Sequence, residues 1–184
     1  DILSTLTKKF LYEGGAGIGG ASKSYIGRIP EVDVGGLKFT SPVCGFSMDK
    51  GGAGADPNNA GILGGEILSR CTVVFDYEHG EMILEPNSNF GKPFRADMSG
   101  ISWTTGGRGD FHTFKVRRLL PDSPGAEAGL EVGDRLVSLD GVPADDLTIN
   151  ALWKFFRSES RDVELTVERD GQSLTKALHL KPLI

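Results

Sequence analysis

The sequence predicts a mainly β chain with short helices, and three observations carry that prediction. The chain holds 26 glycines in 184 residues, concentrated in the first 65, which favours turns and loops over a helical bundle. Short apolar or β-branched runs recur between clusters of Gly, Pro, Asn and Asp. Helical periodicity is confined to brief stretches.

In chain order, Ile2, Leu3, Leu6, Phe10 and Leu11 fall at amphipathic helical spacing, and Gly14-Gly15 stops that helix. Gly17-Ile18-Gly19-Gly20 reads as a mobile glycine-rich loop. Strands are expected at Ser24–Ile29, Glu31–Val34, Leu37–Phe39 and Pro42–Phe46, with Gly35-Gly36 as a hairpin turn. Residues Asp49–Ala60 are small and polar, a surface loop. Two further apolar runs, Cys71–Tyr77 and Glu81–Glu85, flank Glu78-His79-Gly80 and read as a second hairpin. The composition shifts near residues 86–97, where Pro86-Asn87-Ser88-Asn89 and Gly91-Lys92-Pro93 are rich in turn formers. The expected organisation is one domain over 1–88, a linker over 89–96 and a second domain over 97–184.

The second domain carries the densest local signals, in Pro121 to Gly141. Ser123 suits an N-cap, Pro124 the first helical position and Gly129 a left-handed exit. Leu130 supplies the apolar contact after that exit. Gly133-Asp134 turns the chain, Arg135–Leu139 reads as a strand and Asp140-Gly141 as a tight turn. Further strands are expected at Phe114–Leu120, Val163–Glu168 and Leu174–Leu180, with Arg169–Gln172 turning between the last two. Thr148 caps a helix running to Arg157, whose Ile149, Leu152, Trp153 and Phe156 share one face.

A net charge of −5 gives no electrostatic case for nucleic acid or an anionic membrane. No apolar run reaches the roughly 18 residues of a membrane-inserting helix. Cys44 and Cys71 lie in strand-like runs. They suit two buried thiols, or a disulfide closing a loop of roughly 27 residues and worth about 3–4 kcal/mol. No ligand set for a metal accompanies them, and the scattered His79, His112 and His179 suit surface or strand positions. Neither a metal nor a cofactor is expected.

The Ser-Pro-x-x-x-Ala-Gly-Leu helix, the Gly-Asp strand start and the Asp-Gly turn together resemble the bacterial-type PDZ domain. That resemblance implies recognition of peptides or protein C-termini. The peptide adds as a strand to a sheet edge, and its carboxylate is held by backbone N–H groups. The family's x-Φ-G-Φ carboxylate loop matches Met98-Ser99-Gly100-Ile101, followed by Ser102 and Trp103 on the groove strand. Ser99 stands where the family carries an apolar residue. This argues against a deep apolar pocket while leaving the loop amides to an anion. The opposite wall is expected from the Thr148–Arg157 helix. There Ile149 and Trp153 are the groove candidates, and Leu152 and Phe156 are core.

A second resemblance covers residues 1–86. Gly61-Ile62-Leu63-Gly64 with Ile67-Leu68, then strands ending in Phe75-Asp76-Tyr77 and Leu84-Glu85-Pro86, are similar to the later part of a retropepsin-like aspartic protease lobe. Ile62, Leu63 and Gly64 match the segment that packs beside the catalytic loop, and Gly17, Ile18, Gly19 and Gly20 match the flap over the substrate cleft. The family works through Asp-Thr-Gly or Asp-Ser-Gly, and neither occurs in this sequence. Such catalysis needs two carboxylates sharing one proton, so the segment itself is expected to be inactive, with the catalytic Asp upstream of Asp1. The resemblance implies an aspartic endopeptidase whose PDZ domain recruits substrate or regulates the lobe. The alternative is a non-enzymatic PDZ scaffold on a degenerate protease fold. It further implies self-association, or pairing with a missing protease lobe, and a bacterial periplasmic or cell-envelope location.

Overall fold

A computed structural model describes residues 2–17, 20–51, 58, 61–107 and 109–184. The chain divides into two compact units, Asp1–Phe94 and Arg95–Leu183. Strands dominate both, as the composition implies.

The first unit opens with a single helical turn, α1 (Ile2–Thr5), and not the longer helix its periodicity suggested. Strand β1 (Lys9–Gly17) claims Phe10 and Leu11 instead, pairing antiparallel with β2 (Gly20–Arg28). A helix this short is marginal without tertiary support. The hairpin meanwhile satisfies the backbone of Lys9–Glu13, and Glu13 lies opposite Lys23 in a 2.9 Å ion pair. Gly17 and Gly20 pair across the end of this hairpin; Ile18 and Gly19 lie outside the described residues. Most of the Asp49–Ala60 loop does as well.

Strands β3 (Glu31–Val34) and β4 (Leu37–Thr40) form the expected hairpin. Gly35 and Gly36 both have positive φ, 61° and 86°, the backbone that a two-residue turn of this hand requires. Strand β5 (Val43–Ser47) returns to pair with β2, giving the order β1-β2-β5. After the short helix α2 (Gly65–Leu68), β6 (Cys71–Asp76) and β7 (Glu81–Pro86) make a separate hairpin.

Phe39, Ile67, Cys71 and Phe94 form the buried centre of this unit, with Leu63 and Phe90 packed against it. Phe90 and Phe94 come from the segment expected to be a linker, and Phe90 meets Phe39 edge to face at 5.2 Å. Arg70 fixes that segment. Its buried guanidinium donates to the carbonyls of Glu66, Asn89, Lys92 and Pro93 and lies 3.7 Å over the Phe94 ring. Cys44 and Cys71 are free thiols, and burial pushes the Cys44 thiol up from its ordinary pKa.

The second unit is built on a sheet ordered β13-β12-β10-β9-β8. Its strands are β8 (Ile101–Gly107), β9 (Asp110–Leu119), β10 (Arg135–Leu139), β12 (Asp162–Arg169) and β13 (Gln172–His179), with the short β11 (Val142–Pro143) beside β10. Val163, Leu165 and Val167 alternate inward along β12, meeting Phe114 and Val116 of β9 in one core. Helix α3 (Pro124–Glu127) is capped by Ser123 Oγ, which accepts from Ala126 N, and exits through Gly129 at φ 71°. Helix α4 (Ile149–Phe156) is capped by Thr148 Oγ1, which accepts from Ala151 N at 3.1 Å. Leu152 and Phe156 are core, as their spacing predicts.

Asp134, 2% exposed, ties these elements together. Arg169 grips it with both prongs, Nε to Oδ1 at 2.7 Å and Nη2 to Oδ2 at 2.8 Å, and Glu131 N donates to it at 2.9 Å. Burial alone works to raise the carboxyl's pKa. The hydrogen bonds from Arg169 and Glu131, with the charges of Arg169 and Lys176, outweigh it and hold the group below its ordinary range. A carboxyl depressed on folding stabilises the native state above its unfolded pKa, about 4, and loses that contribution as pH falls through the lower folded value. The melting temperature of the second unit, followed through near-ultraviolet dichroism, should therefore fall as pH drops below about 4. Asp134→Asn should abolish that acid-dependent component and cost about 2–4 kcal/mol at neutral pH, because it removes the buried carboxylate of the two-pronged contact and leaves Arg169 only the exposed Glu131 as its ion-pair partner.

Candidate peptide-binding groove

Among the described residues strand β8 pairs with β9 on one side only, so its other edge carries backbone N–H and C=O groups without a sheet partner there. Helix α4 lies near this strand: the Phe156 ring stacks on Trp103 of β8 at 6.2 Å, and Met98 N donates to Phe156 O at 2.9 Å. A free sheet edge beside a helix is the geometry that accepts an extended chain as an added strand.

The expected groove residues divide by role. Ile101 and Trp103 point into the core, following the two-residue alternation of β8. Trp103 is therefore not a wall of the groove; its ring supports α4 from below. Ser102 is half-buried on the opposite face. On the helix, Trp153 is 49% exposed, while Ile149, one turn earlier, is half-buried. These two lie at i and i+4 and share a stripe.

The loop Met98-Ser99-Gly100-Ile101 is rigidly held. Gly125 N donates to Ser99 O at 2.9 Å and Leu120 N to Gly100 O at 2.8 Å. Gly100 has φ 70°, and a Cβ there would collide with the Ser123 side chain. Ser99 is fully buried, at 0% exposure. It does not line a pocket: its hydroxyl donates to Asp97 Oδ1 at 2.9 Å and accepts from Ile101 N at 3.1 Å. Asp97 Oδ1 also accepts from Ser99 N at 2.9 Å and Gly100 N at 2.7 Å. Burial pushes the Asp97 carboxyl above its ordinary pKa, against the opposing pull of the Gly100 and Ser99 donors and the Arg157 charge. The amides expected to await an anion are thus already bonded within the loop. The sequence signal for Asp97 is an Asp two residues before Ser99, the spacing of a side chain that bonds the backbone ahead of it.

In the first unit, Leu63 packs against the core, whereas Ile62 is 86% exposed and Gly64 caps α2. Among the described residues, no group of His, Cys, Asp and Glu is arranged to hold a metal ion. No described helix is long and apolar enough to cross a membrane.

A sheet with one free edge flanked by a helix and a glycine-bearing loop is an arrangement that peptide-recognition modules use. The family model described as PDZ domain matches residues 115–169, so the second unit carries a PDZ domain. The match runs from β9 to β12, leaving β8 and the Asp97 loop outside it. Among solved structures, the photosystem II D1 C-terminal processing protease is similar at 22% identity and TM-score 0.42, over 46% of this chain and 23% of that one. The HtrA3 PDZ domain bound to a phage-derived ligand is similar at 22% identity and TM-score 0.40, over 47% and 86%. The PDZ domain of EpsC from Vibrio cholerae is similar at 27% identity and TM-score 0.36, over 45% and 97%. This chain thus spans under a quarter of the processing protease. No curated protein matches.

The tight fit at Gly100 has a measurable consequence. Gly100→Ala should destabilise the second unit by about 2–4 kcal/mol, combining a left-handed backbone with a steric clash, as read by chemical denaturation.

Proposed function

We propose that the PDZ domain binds an extended polypeptide as an added strand on β8, with Trp153 and Ile149 of α4 forming the facing wall. The observation that carries this is the unpaired β8 edge next to a helix that presents an exposed tryptophan. Backbone pairing supplies affinity, and the aromatic wall selects side chains. Trp153 lies on the surface, so Trp153→Ala should leave the melting temperature within about 2 °C while weakening peptide binding by about tenfold. Fluorescence anisotropy of a dye-labelled pooled peptide library reads the binding in both proteins. Unchanged binding in that variant would move the site away from α4.

For the first unit we propose a retropepsin-like lobe, which makes the domain a recruiter or regulator of an aspartic endopeptidase. The β1–β2 hairpin in the flap's place and α2 directly after Ile62-Leu63-Gly64 support that reading. The exposure of Ile62 suits a residue that a catalytic loop or a second lobe would cover, through self-association or pairing with another lobe. A periplasmic or cell-envelope location belongs to the same proposal. The sequence contains no Asp-Thr-Gly or Asp-Ser-Gly, so the 184-residue chain should show no pepstatin-sensitive cleavage of a casein substrate. Such cleavage would place the catalytic carboxylates within these residues. The alternative is a non-enzymatic scaffold, favoured if a full-length protein holding the triplet is also inert.

A further inference from the structure

The carboxylate loop of this domain is already filled. Three N–H groups, those of Ser99, Gly100 and Ile101, would greet a peptide's terminal carboxylate in the family's arrangement. Here Asp97 Oδ1 takes the first two at 2.9 and 2.7 Å, and Ser99 Oγ, itself bonded to Asp97, takes the third at 3.1 Å. The occupant is chemically the same group as the ligand it would exclude, a carboxylate, and it is tethered two residues away. Its effective concentration exceeds what a free peptide terminus reaches in solution.

The surroundings discourage the loop from opening. Met98 N is bonded to Phe156 O at the end of α4, and Ser99 O to Gly125 N at the start of α3. Ser99 is inaccessible, and Gly100 is wedged against Ser123. Whether Asp97 is charged or protonated, Oδ1 still consumes two amide donors and the Ser99 hydroxyl. Among the described residues the β8 edge itself remains unpaired beyond the loop.

We propose that Asp97 is a built-in occupant of the carboxylate loop, so that this PDZ domain takes internal extended segments of polypeptide chains and discriminates against none by their lack of a free C-terminus. The proposal rests on the groove reading above and specifies the class of partner: a strand-forming stretch within a chain. A domain that recruits substrates to an endopeptidase gains access in this way to proteins whose termini are folded away.

The test uses the 184-residue chain, immobilised, and a pooled random heptapeptide library prepared in free-acid and C-terminal-amide forms with distinct isotopic labels. Mass spectrometry of the retained peptides gives the acid-to-amide ratio. The native chain should retain the two forms within about threefold of each other, and Asp97→Ala should shift the ratio toward the acid by about tenfold or more. Asp97→Asn, which keeps an acceptor oxygen in place, should behave as the native chain does. A native preference for the acid of about tenfold, or a ratio unmoved in Asp97→Ala, overturns the proposal. Should neither the native chain nor Asp97→Ala retain either form, the groove reading itself fails; acid-form retention confined to Asp97→Ala keeps the groove and the occupied loop but overturns the uptake of internal segments. If Asp97→Ala does not fold, amide exchange in the free native chain decides: protection at Ser99, Gly100 and Ile101 supports the occupant, and rapid exchange at all three removes it.

Discussion

One ion pair sets the frame of the second unit. Asp134 stands at the start of β10 and Arg169 at the end of β12, and their two-pronged contact fixes those strands end to end. The same guanidinium reaches Gly129 O and Glu131, so the loop leaving α3 is tied to the sheet as well. Main-chain bonds between Val116 and Asp134, and between Gly133 and Val116, then place β9 against that loop. Since β8 pairs with β9, part of the position of the groove edge is inherited from this buried contact, and the rest comes from Trp103 against Phe156 of α4. Such a pair contributes specificity of arrangement more dependably than net stability, because desolvating both charges costs much of what their attraction returns.

Much of that arrangement is legible in the residues. Ser123, Pro124 and Gly129 announce α3, and Thr148 announces α4, because caps and exits depend on one or two side chains acting locally. The Gly35-Gly36, Asp140-Gly141 and Asp170-Gly171 turns declare themselves for the same reason, since each needs consecutive positive φ values. The first ten residues misled because helical spacing of Ile2, Leu6 and Phe10 is also compatible with a strand once a partner lies alongside. The partner β2, more than ten residues further on, decides between the two. Arg70 was invisible for a related reason: its worth comes from carbonyls supplied by Asn89, Lys92 and Pro93.

The groove was half legible. The helix from Ile149 to Phe156 was legible from its cap and spacing, yet Trp103 turns inward where Trp153 turns out, a distinction that depends on strand register and not on composition. Asp97 illustrates a subtler limit. The motif spans the four loop residues, whereas the hydrogen bonding of the loop is decided by Asp97, the residue immediately before them. The donors of a nest are only as available as their neighbours allow.

The pairing pattern of the first unit has a kinetic meaning. Among the described residues its strands meet almost wholly as neighbours in sequence, in the β1–β2, β3–β4 and β6–β7 hairpins, with β2–β5 the longer closure. The second unit instead joins β10 to β12 across α4. Local pairings form quickly because little chain entropy is spent in closing each loop. They also let go independently, since two-stranded sheets are barely self-supporting. In the first unit the hairpins close locally and are joined mainly through the core of Phe39, Ile67, Cys71 and Phe94, whereas in the second one sheet joins distant strands directly. The first unit therefore depends on its small core to hold separate hairpins together, while in the second the sheet itself carries the β8 edge.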